Sequence, residues 1–286
     1  MPDRPRPPRE PRPRAPFRLK HPKTLAALFA LAGEPGEHFY RGLIDASFEL
    51  TPRVARNPNH LRNEWNLMSA FGAAARAHGY NLRNNLELLA LAQHHGLPTR
   101  LMDVTSAFGV ALYFAVQTEA PDRDVIVWRI DIARMIDAMC RWYGQRSPSG
   151  SPVTSDYTEF PAPPRLVDGR LVPVVANHEI DQVLDGYMTD GSEVRQPPLI
   201  ISTPHISQRI TAQDASFLVL DPLGGPLGQQ LLALDARQAL TGIVIGPPLR
   251  EMVRQHLRTI GLGRRLLFPD IDNLARDLTE RYAENT

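Results

Sequence analysis

A chain of 286 residues with 43% apolar and 22% charged residues has the composition of one large globular domain, or two small ones, with a real core. Its net charge of +1 excludes a uniformly basic body of the kind that coats nucleic acid, and its single cysteine, Cys140, excludes an intrachain disulfide and a cysteine zinc cluster. No stretch approaches roughly 18 uninterrupted apolar residues and no apolar run follows the N-terminal charges, so neither a membrane-spanning helix nor a secretory signal is expected, and the reading is a soluble cytoplasmic protein.

Residues 1–20, MPDRPRPPREPRPRAPFRLK, hold six Arg and one Lys against Asp3 and Glu10, a local excess of +5 that leaves −4 for the rest. Proline removes backbone donors and the arginines repel one another. The arm is therefore read as disordered, or as a tail that touches nucleic acid or an acidic partner. From Pro22 the pattern becomes globular. Leu25, Leu28, Phe29 and Ala32 recur at helical spacing and Gly33 stops them. EHFYRGL (37–43) reads as a short strand. Residues 61–79 predict a helix closing near Gly79. NNLELLALAQHHG predicts another, capped by Asn84 or Asn85 and ended by Gly96.

Pro98 turns the chain extended through LPTRLMDVT. SAFGVALYFAVQ is an apolar helix that Asp103, Thr105 or Ser106 could cap, and DVIVWRI (124–130) is a buried strand. The Pro-, Ser- and Gly-rich stretch 144–173 is read as an inserted loop and DPLGGPLG (221–228) as a turn. LIIS, ASFLVL and GIVIG give three later strands. PPLREMVRQHLRTIG and DIDNLARDLTERYA give two closing helices, with Asp270 as N-cap and Leu267 and Phe268 packing inward. Helices come first and strands later, without βα alternation. The fold class is α+β: a single domain over 21–286, with N-terminal helices around a small mixed sheet.

Four stretches could carry chemistry: FYRG, AQHHGLPTRLMDVT, ALYFA and RITAQDASFLV. Arg41 follows an aromatic pair on a strand, so it either pairs with Asp45 or Asp103 or holds an anion. In the extended segment Thr99, Leu101 and Asp103 share one face, and Arg100 and Met102 the other. His94 and His95 are adjacent, point apart and lack a further ligand at metal spacing, so no metal site is expected. Tyr113 is either core or a stacking platform. Gln213 is either a backbone tie or a site residue. No nucleophile elbow, P-loop or dinucleotide fingerprint is present.

These stretches resemble the FRG domain family. Phe39-Tyr40-Arg41-Gly42 stands for its Phe-x-Arg-Gly signature. Gln93 to Thr105, followed by Ala111-Leu112-Tyr113-Phe114-Ala115, is similar to its Q-H-x-G-x-P-T-R-L-L-D-x-T and A-L-Y-F-A run, with Met102 in place of a leucine. Arg209 to Phe217 and Leu267 to Asp272 are similar to two later segments, although Asp214 stands where a glycine is usual. The resemblance runs over about 36–282.

A weaker similarity links Y-R-G, A-L-Y-F-A and A-Q-x-x-x-F-L-V to ADP-ribosyltransferases. Together the resemblances imply an ADP-ribosyltransferase-like fold that uses NAD⁺ as substrate and transfers ADP-ribose to a nucleic acid or protein. A toxin or phage-defence role is implied, with an antitoxin or immunity protein as a further partner. The implied catalytic residues are Arg41, Gln213 and Asp103, with Glu179 as another carboxylate. The implied cofactor contacts are Tyr40, Arg41, Gly42, Gln93, His94, Thr99, Arg100, Thr105 and Tyr113. The alternatives are a non-catalytic module that binds a nucleotide or protein, and nucleic-acid binding through the basic arm.

Overall fold

A computed structural model describes residues 17–117, 120, 122–146, 165–167, 170–172, 196–202 and 208–283. Its strands are β1 (Arg18–Lys20), β2 (His38–Leu43), β3 (Leu101–Thr105), β4 (Val125–Asp131), β5 (Arg165–Val167), β6 (Arg170–Val172), β7 (Leu199–Ser202), β8 (Ala215–Val219) and β9 (Leu240–Ile245). Seven of them form one mixed sheet in the order β1-β9-β4-β2-β3-β8-β7, and β5 and β6 form a separate pair. β1 runs parallel to β9, and the other neighbours are antiparallel.

Period-two alternation explains why β4 and β9 are buried on both faces of the sheet. On β4, Ile126, Trp128 and Ile130 face one core, while Val125 and Val127 face the other. On β9, Leu240 and Val244 divide from Ile243 and Ile245 in the same way. A strand buried on both faces reads as a continuous apolar run, which is the pattern of both segments.

Helices cover both faces. One face takes α3 (Glu64–Ala77), α4 (Asn85–His94), α6 (Ile132–Arg146) and α8 (Leu227–Ala233), whose Met68, Leu89, Met135 and Leu231 are buried in the first core. The other takes α1 (Leu25–Ala32), α5 (Phe108–Ala115), α9 (Pro247–Thr259) and α10 (Arg264–Leu267), through Leu28, Leu112, Val253 and Leu267. Three short or late helices complete the set: α2 (Pro58–Arg62), α7 (Gln208–Ala212) and α11 (Ile271–Ala283). The architecture is α+β.

Four expectations need correction. The sheet is not small: β7, read as LIIS, closes one edge, and β1, too short to announce itself, extends the other to seven strands. Residues 1–16 of the basic arm lie outside the described residues, and its end is strand rather than disorder: Arg18, Leu19 and Lys20 pair with Thr241, Gly242 and Ile243. Part of the 144–173 loop is regular, since α6 runs to Arg146 and β5 pairs with β6; its other residues lie outside the described residues. The single helix read over 61–79 is two, α2 and α3, hinged at Asn63. Asn84 caps α4 by accepting from Glu87 N at 2.9 Å, and Asp270 caps α11 by accepting from Asn273 N at 2.8 Å. Among the described residues, no helix is long and apolar enough to cross a membrane.

Candidate functional site

β2 and β3 are partners at one end only. Tyr40 pairs with Thr105, after which β2 continues beside β4 to Leu43. Arg41 spans the gap between the parting strands. Its Nη1 donates to the Asp103 carbonyl and lies 3.8 Å from Asp103 Oδ2. Asp45, the other candidate partner, pairs with Arg123 at 2.9 Å instead. Gly42 follows because no side chain fits there. A Cβ would stand 1.9 Å from the Ala111 carbonyl oxygen and 2.7 Å from Ala115 N. The glycine lets α5 lie directly on β2, and the arginine bridges the opening beside it.

That opening is a cleft of about 690 Å³, within the range of roughly 300–1,000 Å³ typical of ligand pockets. Its wall carries three guanidinium side chains, Arg41, Arg56 and Arg209, against two carboxylates, Glu49 and Asp103. Tyr40, Phe48 and Phe114 supply aromatic surface. Arg209 also lies 4.6 Å over the Phe268 ring. The Arg41 Nε is buried without a hydrogen-bond partner. Burial holds the Arg41 guanidinium below its ordinary range; Asp103 opposes this and Arg56 adds to it. The group stays charged, so its unmet donor in a sheltered wall is suited to an anion.

Asp103 is held from behind. Gln93 Nε2 donates to Asp103 Oδ1 at 2.7 Å, and Thr99 Oγ1 donates to Gln93 Oε1 at 2.5 Å. The Asp103 side chain is nevertheless 55% exposed, so its carboxylate faces the cleft while its orientation is fixed. On the far wall, Thr105 Oγ1 donates to the Gln213 carbonyl at 2.7 Å and accepts from Ala107 N at 3.0 Å. It thereby caps the turn into α5. Asp214 takes φ 44°, the left-handed conformation that suits glycine and that aspartate tolerates, and its carboxylate accepts from the Ser106 hydroxyl.

The predicted residues thus separate. Tyr40, Arg41, Gly42, Asp103, Thr105 and Gln213 line the cleft. Gln213 does so with its side-chain nitrogen already donating to the Leu267 carbonyl at 3.0 Å. Gln93 and Thr99, expected at the cofactor, stand behind Asp103. Arg100 is buried on the opposite side of β3 and grips Glu64 through two bonds of 3.0 and 2.6 Å. Tyr113 belongs to the core, and Phe114 is the aromatic of that helix in the cleft wall. On a helix of 3.6 residues per turn, Val110, Ala111 and Phe114 share a face that Tyr113 does not. His94 is exposed at the end of α4, outside the wall; its ring meets His95 edge-on at 5.2 Å. Partial burial, with Arg209 and His95, lowers its pKa against the pull of Asp270. Glu179 lies outside the described residues.

Sequence reasoning missed Arg56, Arg209, Glu49, Phe48 and Phe114 as lining residues. Two of them had a signal: Phe114 stands beside Tyr113 in the A-L-Y-F-A run, and Arg209 opens the RITAQDASFLV stretch. Among the described residues, no three His, Cys, Asp or Glu side chains are grouped to hold a metal ion.

Residues 36–124 match the family model of the FRG domain, so the chain carries an FRG domain. The matched span includes β2, β3, α5 and the 3-10 turn Arg53–Arg56, and therefore Arg41, Arg56, Asp103 and Phe114; Arg209 and Gln213 fall beyond it. No curated protein and no solved structure matches the chain.

Proposed function

We propose that the cleft binds NAD⁺ and transfers its ADP-ribose to a macromolecule, as the likeness to ADP-ribosyltransferases implies. The observation that carries this reading is the Arg41 guanidinium, with a buried, unpartnered Nε on the wall of a cleft that also holds Arg56 and Arg209. A pyrophosphate is a planar-fork target for such a set. Phe114, rather than Tyr113, offers a ring to the nicotinamide. The C1′–N bond breaks, and nicotinamide leaves with the bonding pair. The ribose carbon gains oxocarbenium character, which a neighbouring carboxylate stabilises. Asp103, fixed by Gln93, is the carboxylate best placed for this role; Glu49 is the second in the wall. The acceptor then bonds to C1′, and its proton passes to the carboxylate.

The test is free nicotinamide measured after purified protein is incubated with NAD⁺. Release is expected from the wild type and should fall at least about 100-fold in Arg41→Ala and Asp103→Asn. Expression of the wild type should be toxic to a bacterial host and that of Arg41→Ala tolerated, in keeping with a toxin or defence role. The commitment of the Gln213 amide to the Leu267 carbonyl favours a second reading, a non-catalytic nucleotide-binding module. Thermal stabilisation by NAD⁺ without nicotinamide release would establish that reading in place of the first.

A further inference from the structure

One cationic strip beside the cleft is left uncompensated by the ion pairs among the described residues. Residues 50–63 contain Arg53, Arg56, His60 and Arg62 and no Asp or Glu. Several other arginines meet carboxylates, as in Arg100–Glu64, Arg123–Asp45, Arg129–Glu34 and Arg254–Glu251. None of the ion pairs among the described residues includes Arg53, Arg56 or Arg62. Arg56 donates to the Thr51 carbonyl at 3.2 and 3.0 Å, and Arg62 donates to Asn59 Oδ1 at 2.7 Å. These are neutral acceptors that orient a guanidinium without neutralising it. Partial burial, and then Arg53, hold Arg56 below its ordinary range, so the two like charges feel each other. In the 3-10 turn Arg53–Arg56, side chains three apart stand in line, about 6 Å along the axis.

The strip is continuous with the cleft at one end and with exposed aromatic surface at the other. Arg56 lines the cleft beside Phe48, which is 46% exposed. α2 leads from Arg62 directly into α3, where Trp65 is 61% exposed. A large ring left in water three residues from an uncompensated guanidinium is a combination suited to stacked bases and phosphates together.

We propose that the strip Arg53–Arg62, flanked by Phe48 and Trp65, binds single-stranded nucleic acid and leads it to the lip of the cleft. Guanidiniums take the phosphates, and Phe48 and Trp65 take unstacked bases. A duplex buries its base faces and cannot use the rings. The surface stands apart from the N-terminal arm, and the inference holds whether or not the cleft cleaves NAD⁺.

Fluorescence anisotropy of the full chain with a labelled single-stranded oligonucleotide, titrated across salt concentrations, tests it. Arg53 and Arg62 are exposed and outside the cleft wall, so Arg53→Ala/Arg62→Ala should keep the wild-type melting temperature. The double variant should bind about tenfold more weakly. The slope of log K against log salt should become shallower by about 1.4, about 0.7 for each phosphate that is no longer neutralised. Oligonucleotide should quench part of the tryptophan fluorescence of the wild type but not that part in Trp65→Phe. Unchanged affinity and slope in the double variant would assign any binding to the arm and overturn the proposal. So would a preference for duplex over single strand, no binding at all, or displacement by polyglutamate at matched charge, which would mark the strip as a site for an acidic protein.

Discussion

Gln93 Nε2 donates to Asp103 Oδ1 at 2.7 Å, and the direction of that bond is set two links away, at a backbone amide. Leu101 N donates to Thr99 Oγ1 at 3.3 Å, which turns the Thr99 proton toward Gln93 Oε1 at 2.5 Å. The carboxamide nitrogen is then obliged to face Asp103. Thr99 is fully buried, so no water competes for the hydroxyl. Thr99→Val removes the orienting proton. Nicotinamide release should show kcat lowered about tenfold with KM for NAD⁺ little changed, and Thr99→Ser should restore it. Equal loss in both variants would point to a packing effect instead.

Gly42→Ala places a methyl group against the Ala111 carbonyl at 1.9 Å, and backbone on both sides cannot yield as a side-chain tip would. A loss of about 3 kcal/mol or more is expected in urea unfolding, at the upper end of overpacking costs. Gly79→Ala makes a useful contrast. Its Cβ would meet nothing, and its cost arises from a φ of 86° alone.

Arg100 and Glu64 are both buried and joined by two hydrogen bonds, so removing either strands the other's charge. Arg100→Ala and Glu64→Ala should each destabilise by about 3–5 kcal/mol, while the paired replacement Glu64→Leu/Arg100→Met should recover most of that loss. Calorimetric melting of the three variants measures it. A catalytic role for Arg100 would instead leave stability intact and abolish activity.

His38 is held below the ordinary imidazole range by burial and by Arg129, against Asp131, Glu34 and a bond to the Gly36 backbone. A lowered folded-state value means that the folded protein prefers the neutral ring. Its contribution to stability is therefore complete above about pH 6.5 and is lost as pH falls from there through the lower folded value. The difference in melting temperature between wild type and His38→Gln should be flat above about pH 7 and should change steadily below it.

Phe114→Ala opens the cleft wall, whereas Tyr113→Phe alters only the core. The first should weaken stabilisation by NAD⁺ and also lower the melting temperature of the free protein, because Phe114 packs on the second core and on Phe268. The second should leave NAD⁺ binding unchanged. Thermal shift with and without NAD⁺ separates them, and the reverse pattern would return the stacking role to Tyr113.

The elements with a strong local period were legible from the chain alone. The caps at Asn84 and Asp270, the apolar runs of β4 and β9 and the amphipathic α9 all encode their own boundaries within a few residues, because capping and burial periodicity are local. The FRG signature was legible too, since Arg41-Gly42 and the 93–105 run are contiguous. What the sequence by itself could not decide was which way each polar residue of those motifs faces. Register put Tyr40 against Thr105 and let the strands part beyond it. Helix rotation exchanged Phe114 for Tyr113. A glutamate 36 residues away captured Arg100. Glu49 came to the cleft from a loop and Arg56 from a single 3-10 turn, segments too short to show a period. Side-chain direction around an opening depends on long-range pairing, and only the tertiary structure fixes it.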